Sequence, residues 1–173
     1  MSDIHLCLDK ECTGCFACEG VCSKHAIHQR IDKEGFRRPV IDTNLCVSCH
    51  ACEKICPEIN PISKYCKGKV YAAWSLDNNI RTSSSSGGIF SELALYILRK
   101  GGVVVGAHLD KDGYVRHSII SNESSLNLLQ GSKYVQSLLD GEVYHEIRKL
   151  LLEDRYVLFF RMSLSGCRSS IVF

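Results

Sequence analysis

No stretch of the chain reaches the ~18 consecutive apolar residues that a membrane-spanning helix needs, so such a helix is excluded. The first ten residues, Met1 to Lys10, have no apolar core and do not read as a secretory leader. Neither sign of charge dominates, because 21 Lys and Arg stand against 19 Asp and Glu. The basic residues are scattered, which argues against a nucleic-acid footprint. No Walker loop, no GxGxxG run and no Ser-His-Asp arrangement occurs. Cysteine is absent between Cys66 and Cys167. Where cysteine does occur, it is dense and ordered.

Eight of the 11 cysteines form two copies of one run. The first is Cys12-Thr-Gly-Cys15-Phe-Ala-Cys18-Glu-Gly-Val-Cys22, and the second is Cys46-Val-Ser-Cys49-His-Ala-Cys52-Glu-Lys-Ile-Cys56-Pro57. Both read C-x2-C-x2-C-x3-C, the spacing of two-cluster bacterial ferredoxins. Two intervening residues let a tight loop turn each thiolate towards a different corner of a cubane. The backbone N–H groups of the loop then face the cluster sulfides and help set its potential. Gly14, Ala17, Ser48 and Ala51 are small enough for such a loop. After the third cysteine the chain turns helical, so the fourth sulfur points away from its own loop and serves the other cluster. The expected ligand sets are Cys12, Cys15, Cys18 and Cys56 on one 4Fe–4S cluster, and Cys46, Cys49, Cys52 and Cys22 on the second. Structural zinc uses two separated CxxC pairs, four ligands per ion, and would leave ligands over here. Pro57 follows the fourth cysteine of the second run, whereas Ser23 stands at that place in the first. The proline bends the chain and is not a ligand.

The formal charge of +2 falls to about −2 once eight thiols ionise around two oxidised clusters. Abundant free thiols without a leader predict a cytoplasmic location. Cys7 and Cys66 lack ligand spacing and read as free thiols. His50 lies within the second loop and reads as a partly exposed neighbour, and the other histidines form no ligand pattern.

Between the runs, Ala26-Ile27, the turn Lys33-Glu34-Gly35 and Pro39-Val40-Ile41-Asp42 predict a hairpin. The runs repeat at an offset of 34 residues, which implies pseudo-twofold symmetry. Up to about residue 66 the chain resembles the two-cluster ferredoxin module. Beyond it, Val70 to Trp74 reads as a strand and Asp77-Asn78-Asn79 as a turn. A helix is expected from Ile89 to the stop at Gly101-Gly102. Strands are expected over Val103 to Leu109, Tyr114 to Ile120 and Tyr156 to Phe160, making about four with Val70 to Trp74. Helices are expected near Ser124 to Gln130 and from Asp140 or Gly141 to Glu153. The fold class predicted is α+β: a cluster module over 1–66, then an incomplete α/β domain over 70–173.

Ser84-Ser85-Ser86-Gly87-Gly88 before a helix suits either an N-capped loop or an anion site. Together with Ile89-Phe90 and the later run Gly131-Ser132-Lys133-Tyr134-Val135-Gln136-Ser137, it resembles the beta-subunit family of coenzyme F420-reducing hydrogenases and dehydrogenases. That family, with many members in anaerobes, couples iron–sulfur clusters to a flavin that exchanges a hydride with a deazaflavin or related acceptor. The resemblance implies oxidoreductase chemistry and a flavin (FAD). It makes Ser85, Ser86, Gly87, Gly88 and Lys133 its expected contacts, and a redox partner protein or flavoprotein the expected partner.

After Phe160 the family continues with Gly-Thr-Pro-Cys-Gln, whereas this chain runs from Arg161 to Phe173 with a different sequence. One choice of codons for these 13 residues, read one base later, gives Gly-Cys-Pro-Cys-Gln-Val-Ala-Gly-Leu-Leu-Ser-Phe. The expectation is an out-of-frame tail, with Cys167 not a ligand and the flavin site incomplete. The leading functional reading is therefore an iron–sulfur electron-transfer protein, the cluster-bearing part of a flavin-dependent oxidoreductase subunit. The alternative is a redox-inert docking or assembly module with structural clusters; reversible reduction by a low-potential donor separates the two.

Overall fold

The computed structural model describes residues 4–61, 69 and 71–160. These fall into two compact units: residues up to 61 together with Leu139–Glu146, and residues 69–138 together with 147–160. Among the described residues no helix is long and apolar enough to cross a membrane. The expected out-of-frame tail over 161–173, with Cys167, and the free thiol expected at Cys66 lie outside the described residues.

In the first unit, two five-residue helices, α1 (Ala17–Val21) and α2 (Ala51–Ile55), flank a hairpin of β1 (Ile27–Ile31) and β2 (Arg37–Ile41). The hairpin predicted from the glycine turn is present, with Ile27 opposite Ile41 and Ile31 opposite Arg37. Asp32 organises its turn, its Oδ1 accepting from the N–H groups of Glu34 and Phe36, both at 2.9 Å. The core is small. It consists of Ile4, Ile27, Cys18 and Cys52, with Leu6, Cys22, Ile41 and Cys46 packed against it. Helices of five residues are too short to hold themselves, so this unit leans on whatever its cysteines bind.

The second unit begins with a difference from expectation. Tyr71 to Trp74 forms no strand, and Val70 lies outside the described residues. Instead the segment runs into the Ser-Gly loop, with Ser75 N–H donating to the Gly87 carbonyl at 2.7 Å. The central strand β3 (Val103–Leu109) has both edges taken, by antiparallel β4 (Val115–Ile120) and parallel β5 (Val157–Phe159). Tyr71 and Trp74 stay exposed, and the ladder has three strands rather than four among the described residues. Asp77 does not make a plain turn either. Its carboxylate accepts from the N–H groups of Asn79 (2.7 Å) and Ile80 (3.3 Å) and caps a short helix, α3 (Asn78–Thr82).

The remaining elements follow the apolar periodicity. Helix α4 (Ile89–Arg99) ends where glycine permits, with Gly101 N–H donating to Leu98 and Gly102 N–H to Ile97. A 3-10 turn (Glu123–Ser125) leads into α5 (Leu126–Leu129), and α6 spans Gly141–Leu152. Ala94, Ile97 and Leu98 of α4 pack with Val104, Ile120, Leu126, Leu129 and Leu158 into one core. Helices thus cover a mixed sheet, and the class is α+β, as expected.

Leu158 is fully buried on the shortest strand. Leu158→Ala should destabilise this unit by about 2–5 kcal/mol, read as an earlier unfolding transition of β3 amides in hydrogen exchange. A change within ~0.5 kcal/mol would show that β5 does not contribute to this core.

Candidate metal centre

The two cysteine runs adopt the same backbone. Gly14 and Ser48 stand at φ +62° and +53°, and Phe16 and His50 at +56° and +59°. Each of the latter residues opens its helix in the left-handed conformation. Such φ values are unfavourable for bulky residues and persist only where the surroundings hold them. Here they curl the loop so that successive cysteines face inward. Each run then leaves its helix in the same way. Cys22 and Cys56 are extended at φ −77° and −70°, with their N–H groups bonded to Glu19 and Glu53. The fourth sulfur is thereby turned out of its own loop.

The consequence is two hollows, each lined by a crossed set of four. One is bordered by Cys12, Cys15, Cys18 and Cys56, with Pro57 at its side, and Cys7 and Cys52 also reach it. The other is bordered by Cys46, Cys49, Cys52 and Cys22. Among the described residues no three His, Cys, Asp or Glu side chains converge tightly enough to hold a single metal ion. Thiols that surround a space rather than a point fit a cubane, whose irons sit at separate corners.

Backbone donors already address these sulfurs. Gly14 N–H donates to Cys12 Sγ at 3.4 Å, and Ala26 N–H to Cys22 Sγ at 3.3 Å. Burial, and then the neighbouring Cys15, push the Cys18 thiol up to about 12. Burial raises Cys52 as well. Without a metal these thiols therefore stay protonated at neutral pH, and a cluster must displace the protons on binding.

Two features escaped the sequence reading. Cys7 lines the first hollow, its thiol raised to about 12 by burial and then by Cys56 and Cys12. No spacing rule covers it, since its position depends on how the segment before the motif folds back. His50 is partly exposed, as expected, and its Nδ1 lies 2.7 Å from Glu53 Oε2. The His5 N–H and then His50 hold the Glu53 carboxyl below the usual carboxylate range.

In the second unit the Ser-Gly loop meets the later motif. Ser85 Oγ lies 3.3 Å from Ser132 Oγ, and Gln130 Nε2 donates to the buried Ser91 Oγ at 3.1 Å. Ser85 and Ser86 are exposed. Gly87 is required by a close approach, because a Cβ there would stand 2.5 Å from the Ala73 carbonyl. Gly88 begins α4 with φ +82°. Lys133 is half-buried, its ammonium donating to the carbonyls of Gln130 (2.7 Å) and Leu129 (3.3 Å), and burial lowers its pKa.

The crossed thiol sets define an iron–sulfur protein of the electron-transfer class, and residues 11–59 match the 4Fe-4S dicluster domain. Residues 70–141 match the coenzyme F420 hydrogenase/dehydrogenase beta subunit, N-terminal domain. The two matches stand in the order that the resemblance to the F420 hydrogenase/dehydrogenase beta-subunit family implies, a dicluster segment followed by a segment similar to that subunit's amino-terminal domain. No curated protein matches the chain.

Proposed function

We propose that this chain holds two 4Fe–4S clusters and exchanges electrons with a redox partner protein or flavoprotein, as the cluster-bearing part of a flavin-dependent oxidoreductase subunit. Cys12, Cys15, Cys18 and Cys56 are the ligands of one cluster, and Cys46, Cys49, Cys52 and Cys22 those of the other. The observation that carries this reading is the lining of the two hollows, each bordered by the first three cysteines of one run and the fourth of the other, with Cys52 reaching both. When bound, each cluster supplies a one-electron carrier. The chain's own residues present the thiolates, donate N–H groups to the sulfurs and limit solvent. Cys18 and Cys52 lie buried on the inner side, while Cys49 reaches the surface. An exposed ligand next to a buried pair suits a carrier that must accept electrons from outside.

The flavin would contact Ser85, Ser86, Gly87, Gly88 and the Lys133 region. Support comes from the Ser85–Ser132 approach, which joins the two motifs, and from a loop whose exposed serines precede the start of an 11-residue helix. The domain division at about residues 66–70 is part of the same reading, with electron carriage ahead of it and flavin contacts after it.

The test is anaerobic reconstitution of the whole chain with iron and sulfide. About eight irons and eight acid-labile sulfides per chain, with broad absorbance that bleaches on dithionite addition, are expected. Stoichiometric zinc without labile sulfide would overturn the reading. Clusters that resist all reduction would favour a structural role for them instead.

A further inference from the structure

The first turn of α6 belongs to the cluster unit, and it is seated on the loop that bears Cys15. Tyr144 Oη donates to the Cys15 carbonyl at 2.7 Å, across 129 positions of sequence. The ring lies against Gly20, where a Cβ would come within 2.7 Å of the Tyr144 Cβ and 2.8 Å of its Cδ2. Alanine at position 20 would therefore push the ring off its seat. Gln29 fixes the entry to this turn, its Nε2 donating to the Leu139 carbonyl at 3.1 Å and to Glu19 Oε2 at 2.8 Å. Leu139 itself is 1% exposed.

The second loop has the same backbone and a different cover. Phe16 is 1% exposed, whereas His50, its counterpart 34 residues on, is partly exposed. Cys15 is half-buried, and its counterpart Cys49 is exposed. Sequence repetition alone would make the two sites alike. Tyr144 is a distinguishing contact of the first.

We propose that Tyr144 is a positioning residue for the first cluster loop, and that its hydroxyl gives the Cys12–Cys15–Cys18–Cys56 cluster a potential distinct from that of its pseudo-symmetric counterpart. The inference rests on the two-cluster reading above. Its physical basis is peptide polarisation. The Cys15 carbonyl and the Phe16 N–H belong to one peptide unit, and a donor on the carbonyl strengthens the dipole at the N–H. A stronger positive end within a thiolate-bearing loop favours the more negative, reduced state. The hydroxyl thus raises the potential of one cluster, and its removal lowers it.

The test compares the reconstituted full chain with Tyr144→Phe, which keeps the ring and removes only the donor. Redox titration followed by electron paramagnetic resonance should show one of the two potentials moving to more negative values while the other stays. The shift should persist in a Cys49→Ala background, where the second cluster is absent. Gly20→Ala should move the same potential in the same direction, and the double variant should shift it no further than the larger single change. Unchanged potentials in Tyr144→Phe, or both potentials moving together, would overturn the inference and leave the two-cluster reading standing. A parent chain that takes up no labile sulfide would overturn that reading, and this inference with it.

Discussion

Cys56→Ala should abolish the intact cluster at Cys12, Cys15 and Cys18, 38 residues or more away in sequence, and spare the one formed by its own loop. The variant is best made together with Cys7→Ala. Cys7 lines the same hollow, and a fifth thiol there could fill the vacated corner. Reconstitution should then leave about four cluster irons instead of about eight. Iron content alone does not say which cluster is gone, and a second substitution decides it. Adding Cys15→Ala should remove nothing more, since both cysteines border one hollow. Adding Cys49→Ala should remove the remaining cluster. The reverse pattern, with Cys49→Ala silent and Cys15→Ala taking the last irons, would mean that each run closes its own cluster. The crossing would have a local cause in the extended backbone of Cys56 after α2, which breaks the helical path and places this residue beside Cys12, Cys15 and Cys18.

The shared backbone of the two cysteine runs was legible in the sequence because it follows from short-range geometry. The C-x2-C-x2-C-x3-C spacing encodes loop, helix and exit within eleven residues, and two copies predict one another. The β1–β2 hairpin, α4 with its glycine stop, and the buried run of β3 were legible for the same reason, each being written in periodicity and a terminator. What could not be read were contacts set by distant chain. Tyr71 to Trp74 has the composition of a strand, but the chain just after it bonds to the distant Ser-Gly loop at Gly87 and the segment joins no ladder. Asp77 differs from a turn residue only in being followed by a helical turn that its carboxylate can cap. Cys7 and Tyr144 reach the first cluster loop from outside the motif, one ahead of it and one 129 residues beyond Cys15. No pattern within the motif could announce either.

Stripping iron from the whole chain should unfold the cluster unit and leave the other standing. In the first unit the helices are five residues long, and two of the four buried core residues, Cys18 and Cys52, are proposed ligands. Its aliphatic core residues, Ile4 and Ile27, contribute roughly 1.5–3 kcal/mol each by burial. That is small beside the order of 1–2 kcal/mol per residue needed to order the backbone. Metal binding in small domains supplies an apparent 10–16 kcal/mol, on the order measured for zinc-finger peptides, and so decides whether this unit folds. Removal also restores protons to buried thiols, and it leaves Phe16 and His50 in left-handed conformations with nothing to hold them there. The second unit has no such dependence. Its core of Ala94, Ile97, Leu98, Val104, Ile120, Leu126, Leu129 and Leu158 is aliphatic throughout. Hydrogen exchange after anaerobic chelation should therefore show amides of β1 and β2 exchanging at unprotected rates while those of β3 remain slow. The Tyr144 hydroxyl should lose its partner at the same time, because the Cys15 carbonyl is no longer held in place. Persistent protection of β1 and β2 in fully iron-free protein would mean that this hairpin and its few aliphatic contacts suffice without the metal. Loss of protection in β3 together with β1 would instead show that the second unit, too, depends on the clusters.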